Sequence, residues 1–275
     1  MESTDYEEAA SPEPVIRVRL VDLLSPETLD LIYASPRDHY WSDEWTPEFF
    51  VAQARAGFIS VSHDSGEDLF GQVLLPQIHT ANAVLDWGDL HLSRSTRRWM
   101  RSEACKEAGY ELHFGYALDP IMGGIAGCHG ENNWLDGQYP ELLRDVASQA
   151  WDGFELAGVG LTDKAGRLLA GEIGYRTGRV FTSMTGFLDR NASGFNHVGK
   201  LQLFLLAEFL RDEGYTFWNL GQPYMQYKFD LGAKVVPRVE FLARWAIDSG
   251  QAEREGGMGA WLSKQIASEL SGKTT

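Results

Sequence analysis

Three groups of side chains in this sequence are able to do chemistry. The first is a single carboxylate. Glu172 lies in a hairpin pattern that runs from Arg167 to Tyr175, turns at Arg176–Gly178 and returns from Arg179 to Phe187. It is the one acid inside that hairpin, and it reads either as a solvent-facing strand residue or as a proton acceptor. Glu155, on the strand before it, offers the same choice more weakly. The second group is cationic. Arg94, Arg97, Arg98, Arg101 and Lys106 recur over three helical turns; gathered on one face they would offer phosphate contacts, and otherwise they form a solvated charged face. His197 and Lys200 open a long helix, where free N–H groups and the helix dipole favour anions; the plain alternative for Lys200 is an exposed side chain. The third group is apolar. Phe181, Met184, Phe187, Trp218 and Tyr224 can line a pocket for a substrate side chain or fill a core. Cys128 and His129 are adjacent in a helical pattern and point about 100° apart, so they do not make a nucleophile–base pair.

The elements that must position these residues are set by local grammar. Val15–Leu20 alternates as a strand would. Ser25 and Thr46 each precede a proline and an acidic first turn, which starts two helices, and Gly57 stops the second. Phe58–Ser62 and Val73–Pro76 read as strands around an acidic turn at Asp64–Asp68, with a further strand near Ala83–Trp87. Ser95 is the expected cap of the basic helix. A strand over Gly109–Phe114, a helix from Pro120 ended by Gly130, and a helix over Asp136–Trp151 precede the strand Phe154–Leu161. The hairpin, a helix over His197–Arg211, a strand over Phe217–Gln222 and a last strand over Phe241–Ile247 complete the pattern. A short amphipathic helix near Trp261–Leu270 closes it. Strand, strand, helix, strand from Gly166 to Arg238 is the scaffold of an acyl-transfer fold, and the whole order predicts an α/β (α+β) protein with a mixed, mostly antiparallel sheet flanked by helices.

Composition sets the outer bounds. The chain has 275 residues, 44% hydrophobic, with nine Trp and a net charge of −15, which describes a folded, aromatic-rich globular protein. The acidic total disfavours DNA and non-specific polyanions, because phosphate affinity comes from Lys and Arg. There is no apolar run of membrane-spanning length, and the acidic N-terminus lacks a signal-peptide pattern. The expectation is a cytoplasmic monomer with an acidic disordered tail over 1–13, a small α/β domain over 14–89, a catalytic domain over 90–248 and a tail over 249–275. Cys105 and Cys128 have neither a CxxC nor a zinc spacing and are expected as reduced, buried thiols; no metal and no cofactor are implied.

From residue 46 to 242 the chain resembles the leucyl/phenylalanyl-tRNA–protein transferases. The resemblance is carried by Leu90–Ser95 with Arg97 and Arg98 behind it, Gly127–Cys128, Asn133–Leu135, the hairpin from Leu168 to Phe181, Lys200, Gln222, Leu231–Ala233 and Pro237–Arg238. It implies a GNAT-like domain that takes an amino acid, Leu or Phe by family precedent, from aminoacyl-tRNA and gives it to an amine such as a protein N-terminus. It implies that Gln222 donates its amide to a carbonyl oxygen, that Asn219 orients the amine, and that Lys200, Arg238 and the arginines of the basic run contact tRNA.

The departures are specific. Leu75–Asn82 lacks the two tryptophans that the family carries ahead of the Leu-His motif. The family's acidic position on the returning hairpin strand falls at Met184, and its aspartate on the next strand falls at Leu220 or Asn219. Ester aminolysis depends on positioning, on hydrogen bonds to the developing oxyanion and on a proton acceptor near the amine, and it requires no metal. The lost acids fit a shift to a less basic acceptor such as a hydroxylamine or a hydroxyl; the alternative carried is transfer to a small amine, a hydroxylamine or a peptide in a specialised biosynthetic pathway. Two further alternatives are an acetyl-CoA-dependent GNAT enzyme and a non-catalytic tRNA- or peptide-binding homologue. Arg190–Gly199 does not fit the Gln/Arg-x-x-Gly-x-Gly/Ala loop that acetyl-CoA enzymes use for pyrophosphate.

Overall fold

The computed structural model describes residues 15–64, 71–192, 195–251 and 259–272. The expected tail over 1–13 and most of the acidic turn fall outside them. The chain begins with β1 (Ile16–Arg17), α1 (Leu20–Leu23), α2 (Pro26–Ala34), β2 (Tyr40–Trp41), α3 (Pro47–Arg55), β3 (Ile59–Asp64), β4 (Gln72–Gln77) and β5 (Ala81–Leu85). It continues with α4 (Arg94–Met100), α5 (Glu103–Ala108), β6 (Glu111–Phe114), α6 (Leu118–His129), α7 (Tyr139–Ala147), β7 (Phe154–Thr162), β8 (Leu168–Thr177) and β9 (Val180–Leu188). Last come α8 (Phe195–Asp212), β10 (Phe217–Asn219), α9 (Gln226–Leu231), β11 (Lys234–Pro237), α10 (Arg238–Asp248) and α11 (Ala260–Gly272).

Seven strands make the main sheet in the order β11-β5-β10-β9-β8-β7-β6, with β10 and β9 parallel and the other pairs antiparallel. This is the mixed, mostly antiparallel sheet that the sequence predicts. Both faces are covered. On one, Leu206, Ala207 and Leu210 of α8 pack with Ala157, Val159, Phe181 and Trp218. On the other, α3, α6, α7 and α10 bury Phe50, Ile121, Leu143 and Phe241 against Ile173 and Tyr175. Strand β5, from the segment before residue 90, hydrogen-bonds to both β10 and β11, so that segment shares one sheet with the strands of the GNAT-like region.

Several local expectations change. Val15–Leu20 is not one strand: the Asp22 carboxylate accepts from the Arg19 backbone N–H at 2.9 Å, which starts α1 at Leu20. The basic run is split between two helices. Ser93, not Ser95, caps α4 by accepting from Thr96 N at 3.2 Å, and Ser102 starts α5 by accepting from Cys105 N at 3.3 Å. Phe241–Ile247 is helical. Phe241, Leu242, Trp245 and Ala246 are buried while Ile247 is exposed, and the i, i+1, i+4, i+5 spacing belongs to a helix face. Cys105 is half-buried and Cys128 exposed, both as free thiols.

Arg238, expected to meet tRNA, is instead an internal strut. Its guanidinium donates to the carbonyls of His79 at 3.0 Å and Arg37 at 2.7 Å, and also to those of Ser35 and Ile78. It is 6% exposed, so its N–H donors close turns instead of facing phosphate. Replacing it with Ala leaves several buried carbonyls unpaired. Arg238→Ala should lower the unfolding free energy by on the order of 3 kcal/mol or more in a denaturant titration; a loss below about 0.5 kcal/mol would refute this role.

Candidate functional site

The site is set by where β10 stops. Phe217, Trp218 and Asn219 pair in parallel with Val180, Phe181 and Thr182, and the pairing ends there. The Asn219 side-chain oxygen accepts from Gly221 N at 3.0 Å, and Gly221 takes a positive φ of 71° that glycine adopts without strain. The turn carries the chain across to β5, where Leu220 N donates to Ala83 O at 2.9 Å and Ala83 N to Gly221 O at 2.7 Å. Strand β9 runs on alone on that side through Leu188, still paired with β8 on the other. A register shift leaves Met184 unpaired between Ser183, opposite Gly174, and Thr185, opposite Ile173. Residues 180–182 are buried and residues 183–188 are half-buried. The fork therefore opens at Ser183.

Glu172 sits behind that opening. It is 5% exposed, which removes the reading as a solvent-facing strand residue. Its Oε1 accepts from Ser183 Oγ at 2.7 Å, and its Oε2 accepts from Gln202 Nε2 of α8 at 3.5 Å, the outer limit of such a bond. Trp218 Nε1 donates to Ser183 Oγ at 2.8 Å. Burial raises the Glu172 pKa to about 7, and the Ser183 bond opposes that rise. The Tyr227 hydroxyl, on α9, feels the Glu172 charge. No cation pairs with Glu172 among the described residues.

A second buried polar group lies on α9. Lys228 is 5% exposed, its Nζ donates to the Gln222 carbonyl at 2.7 Å, and burial lowers its pKa to about 8. The same ammonium lies 5.9 Å from the centre of the Tyr227 ring. Gln222 Nε2 donates to Gln77 Oε1 at 2.8 Å, and Tyr224 OH donates to Gln222 Oε1. His79, nearby, is held neutral because burial lowers its pKa to about 4.

The expected site residues are only partly brought together. Glu172 is at the fork; Gln222 lies past the end of β10 with its side chain on Gln77 and Tyr224. Asn219 is 1% exposed, with one end on Thr182 Oγ1 at 3.3 Å and the other on Gly221 N, so it shapes the turn and does not reach an amine. The five-residue apolar pocket does not form. Phe181 and Trp218 are fully buried on the α8 face, Met184 and Phe187 pack on the opposite face, and Tyr224 is 67% exposed. Strand alternation combined with the bulge at Met184 causes the split. Arg97 folds back onto Leu92 O at 2.9 Å and 2.8 Å. Arg94, Arg98 and Arg101 are exposed at i, i+4 and i+7 with no carboxylate partner among the described residues, and Lys200 is exposed on α8, which packs against α4. His129, next to Cys128, bonds the Gly186 carbonyl at 3.0 Å.

Ser183, Gln202, Tyr227 and Lys228 are site residues that no sequence motif singles out. One signal could find their neighbourhood: β8 is central in a sheet covered on both faces, and a carboxylate on such a strand is necessarily buried and partnered.

Residues 94–229 match the family of the acetyltransferase (GNAT) domain. The fold is GNAT-like. No characterised protein sequence matches the chain. Among solved structures, L-PGS from Bacillus licheniformis is 14% identical, aligned over 57% of this chain and 58% of its own, with a TM-score of 0.41; the chain thus spans about three-fifths of that structure. The C-terminal domain of a putative lysylphosphatidylglycerol synthetase from Agrobacterium fabrum is 13% identical over 80% of this chain and 74% of its own, with a TM-score of 0.41. FemX is 11% identical over 82% and 80%, with a TM-score of 0.43.

The raised pKa makes Glu172 a measurable liability. Its folded pKa of about 7 exceeds its unfolded value near 4.5, so the folded state binds the proton more tightly between those values. Stability therefore falls as pH rises from about 4.5 to 7. Glu172→Gln should gain on the wild type over that window, by up to about 3 kcal/mol at pH 8 relative to pH 4.5. A stability difference that stays constant between those pH values would show an unperturbed carboxyl.

Proposed function

We propose that this chain is an acyltransferase whose donor is an aminoacyl-tRNA and whose acceptor is an amine. The observation that carries the reading is the buried Glu172 at the fork of β9 and β10, protonating near pH 7, where a general base works best at neutral pH. The positions that are acidic in the leucyl/phenylalanyl-tRNA–protein transferases are Met184 and Asn219 or Leu220 here. Glu172 offers a carboxylate from the neighbouring strand instead, bonded to the residue that precedes Met184. Met184 itself faces the other side of the sheet, so Glu172 supplies its carboxylate from the α8 face.

Three further features support the donor. The order of motifs from Leu90 to Arg238 resembles that family. The exposed arginines Arg94, Arg98 and Arg101, without a carboxylate partner among the described residues of a chain of net charge −15, suit the phosphates of an RNA end. Arg190–Gly199 lacks the loop pattern used for the pyrophosphate of acetyl-CoA. Lys228, bonded to the Gln222 carbonyl, and the Gln222 amide are candidate donors to an oxyanion. The acceptor reading is a protein N-terminus or a small amine, hydroxylamine or peptide.

One observation favours a second reading. The family that matches residues 94–229 is described as an acetyltransferase, so acetyl-CoA is the competing donor. Incubation with a pool of charged tRNAs, and separately with labelled acetyl-CoA, against a panel of amines tests both. Consumption of one aminoacyl ester with formation of an amide is expected; acetyl transfer without tRNA consumption selects the second reading; transfer from neither donor overturns the enzyme assignment. Glu172→Gln should reduce kcat about 100-fold or more. Reversing Arg94 and Arg98 to Glu should weaken tRNA binding and lower its salt slope by roughly 0.7–0.9 per lost phosphate contact; unchanged binding removes that face from the tRNA footprint.

A further inference from the structure

Ser183 has a fixed hydrogen-bond assignment. A serine hydroxyl has one proton and two acceptor lone pairs, an indole N–H only donates, and an ionised carboxylate only accepts. Trp218 Nε1, at 2.8 Å, therefore occupies one lone pair of Ser183 Oγ. The single hydroxyl proton goes to Glu172 Oε1 at 2.7 Å. One lone pair remains, on a half-buried side chain at the first position past the end of β10. Glu172 itself is 5% exposed and lies behind the serine.

We propose that Ser183 is the group that touches the acceptor: it takes the amine proton on its free lone pair while passing its own proton to Glu172. The relay rests on the acyl-transfer reading above. The free amine attacks the ester carbonyl carbon, the N–C bond forms, and the carbonyl π pair moves onto oxygen. The amine proton moves to Ser183 Oγ and the serine proton to Glu172, which becomes the neutral acid that its burial favours. When the carbonyl re-forms, the carbon–ribose oxygen bond breaks and the departing oxygen recovers a proton along the same path. Glu172 is ionised again, and the products are an amide and a free ribose hydroxyl. Trp218 and Glu172 are positioning residues in this scheme; Ser183 is the catalytic one.

Among the described residues, the groups that face Glu172 are Ser183 from β9, Gln202 from α8 and Tyr227 from α9, with Trp218 of β10 acting through Ser183. None is a cation, so the carboxyl titrates against burial and the Ser183 bond. Two flanking glycines keep the contact open. A Cβ at Gly186 would lie 3.0 Å from the Glu172 Cβ, and one at Gly174 would lie 2.5 Å from the Phe181 ring.

The test uses Ser183→Ala, Ser183→Thr and the wild type as full chains. With the donor and acceptor found for the wild type, Ser183→Ala should lose about 100-fold or more in kcat with KM for the donor changed less than about twofold, and should lose the ionisation near pH 7 from its rate profile. Ser183→Thr, which keeps the hydroxyl, should recover most of the rate. The infrared carbonyl band of protonated Glu172, titrated without any substrate, should have its midpoint near 7 in the wild type and higher in Ser183→Ala, which lacks the bond that favours the ionised form. Transfer by Ser183→Ala within about threefold of wild type with the same pH limb overturns the relay alone. An infrared midpoint unmoved by the substitution overturns the Ser183–Glu172 bond on which the relay depends. A protein whose midpoint moves but which transfers nothing from any donor overturns the acyl-transfer reading, and the relay falls with it.

Discussion

The parallel pairing of β9 and β10 lasts three residues, and the functional architecture depends on that shortness. Parallel strands in a helix-flanked sheet are normally buried along their length. Here the Asn219 side chain and the positive φ of Gly221 end β10 early and direct the chain to β5. The released half of β9 keeps β8 as its one neighbour, gains a bulge at Met184 and turns from buried to half-buried. Ser183 is half-buried at the gap while Glu172 stays buried beneath α8, with Ser183 and Gln202 as its hydrogen-bond partners.

Dryness sets the chemistry. An ionised carboxylate in a low-dielectric interior is costly unless partnered, and its cheaper response is to raise its pKa. Glu172 has Ser183 as its one short hydrogen bond and no cation among the described residues, and the outcome is a group balanced between protonated and ionised near pH 7. Lys228 shows the mirror case one helix away: an ammonium bonded to a carbonyl, drawn down to about 8 by the same desolvation. Arg94 and Arg98 of α4 are exposed outside this dry region; Arg238 does the reverse, fixing turns near residues 35–37 and 78–79.

The sheet's mixed character, the hairpin, the long α8 and the helix caps at Ser25 and Thr46 are legible in the sequence because each rests on local rules: alternation, capping and turn chemistry. The apolar run of α10 is dense enough to satisfy a strand as well as a helix, and only packing on β5 and α11 decides between them. The basic run reads as one helix because nothing local announces the break at Arg101–Ser102 except a second serine cap. At the site, Glu172 is visible as an unusual residue type in a strand, whereas Ser183 and Gln202 are not, since their relation to it spans 11 and 30 residues of chain. The apolar pocket fails for a related reason: one bulge reverses which face a β9 side chain occupies.

The central claim is that the fork at Ser183 is where acyl transfer happens. The most direct measurement is a crystal structure of the chain with an amide-linked aminoacyl-adenosine, a stable mimic of the charged tRNA end. The account predicts the amide carbonyl carbon at the opening between β9 and β10, with Ser183 Oγ facing it at a distance that admits the attacking nitrogen, about 3–4 Å from that nitrogen's position. An aminoacyl group seated away from β9, with Ser183 and Glu172 untouched behind an intact surface, would contradict it.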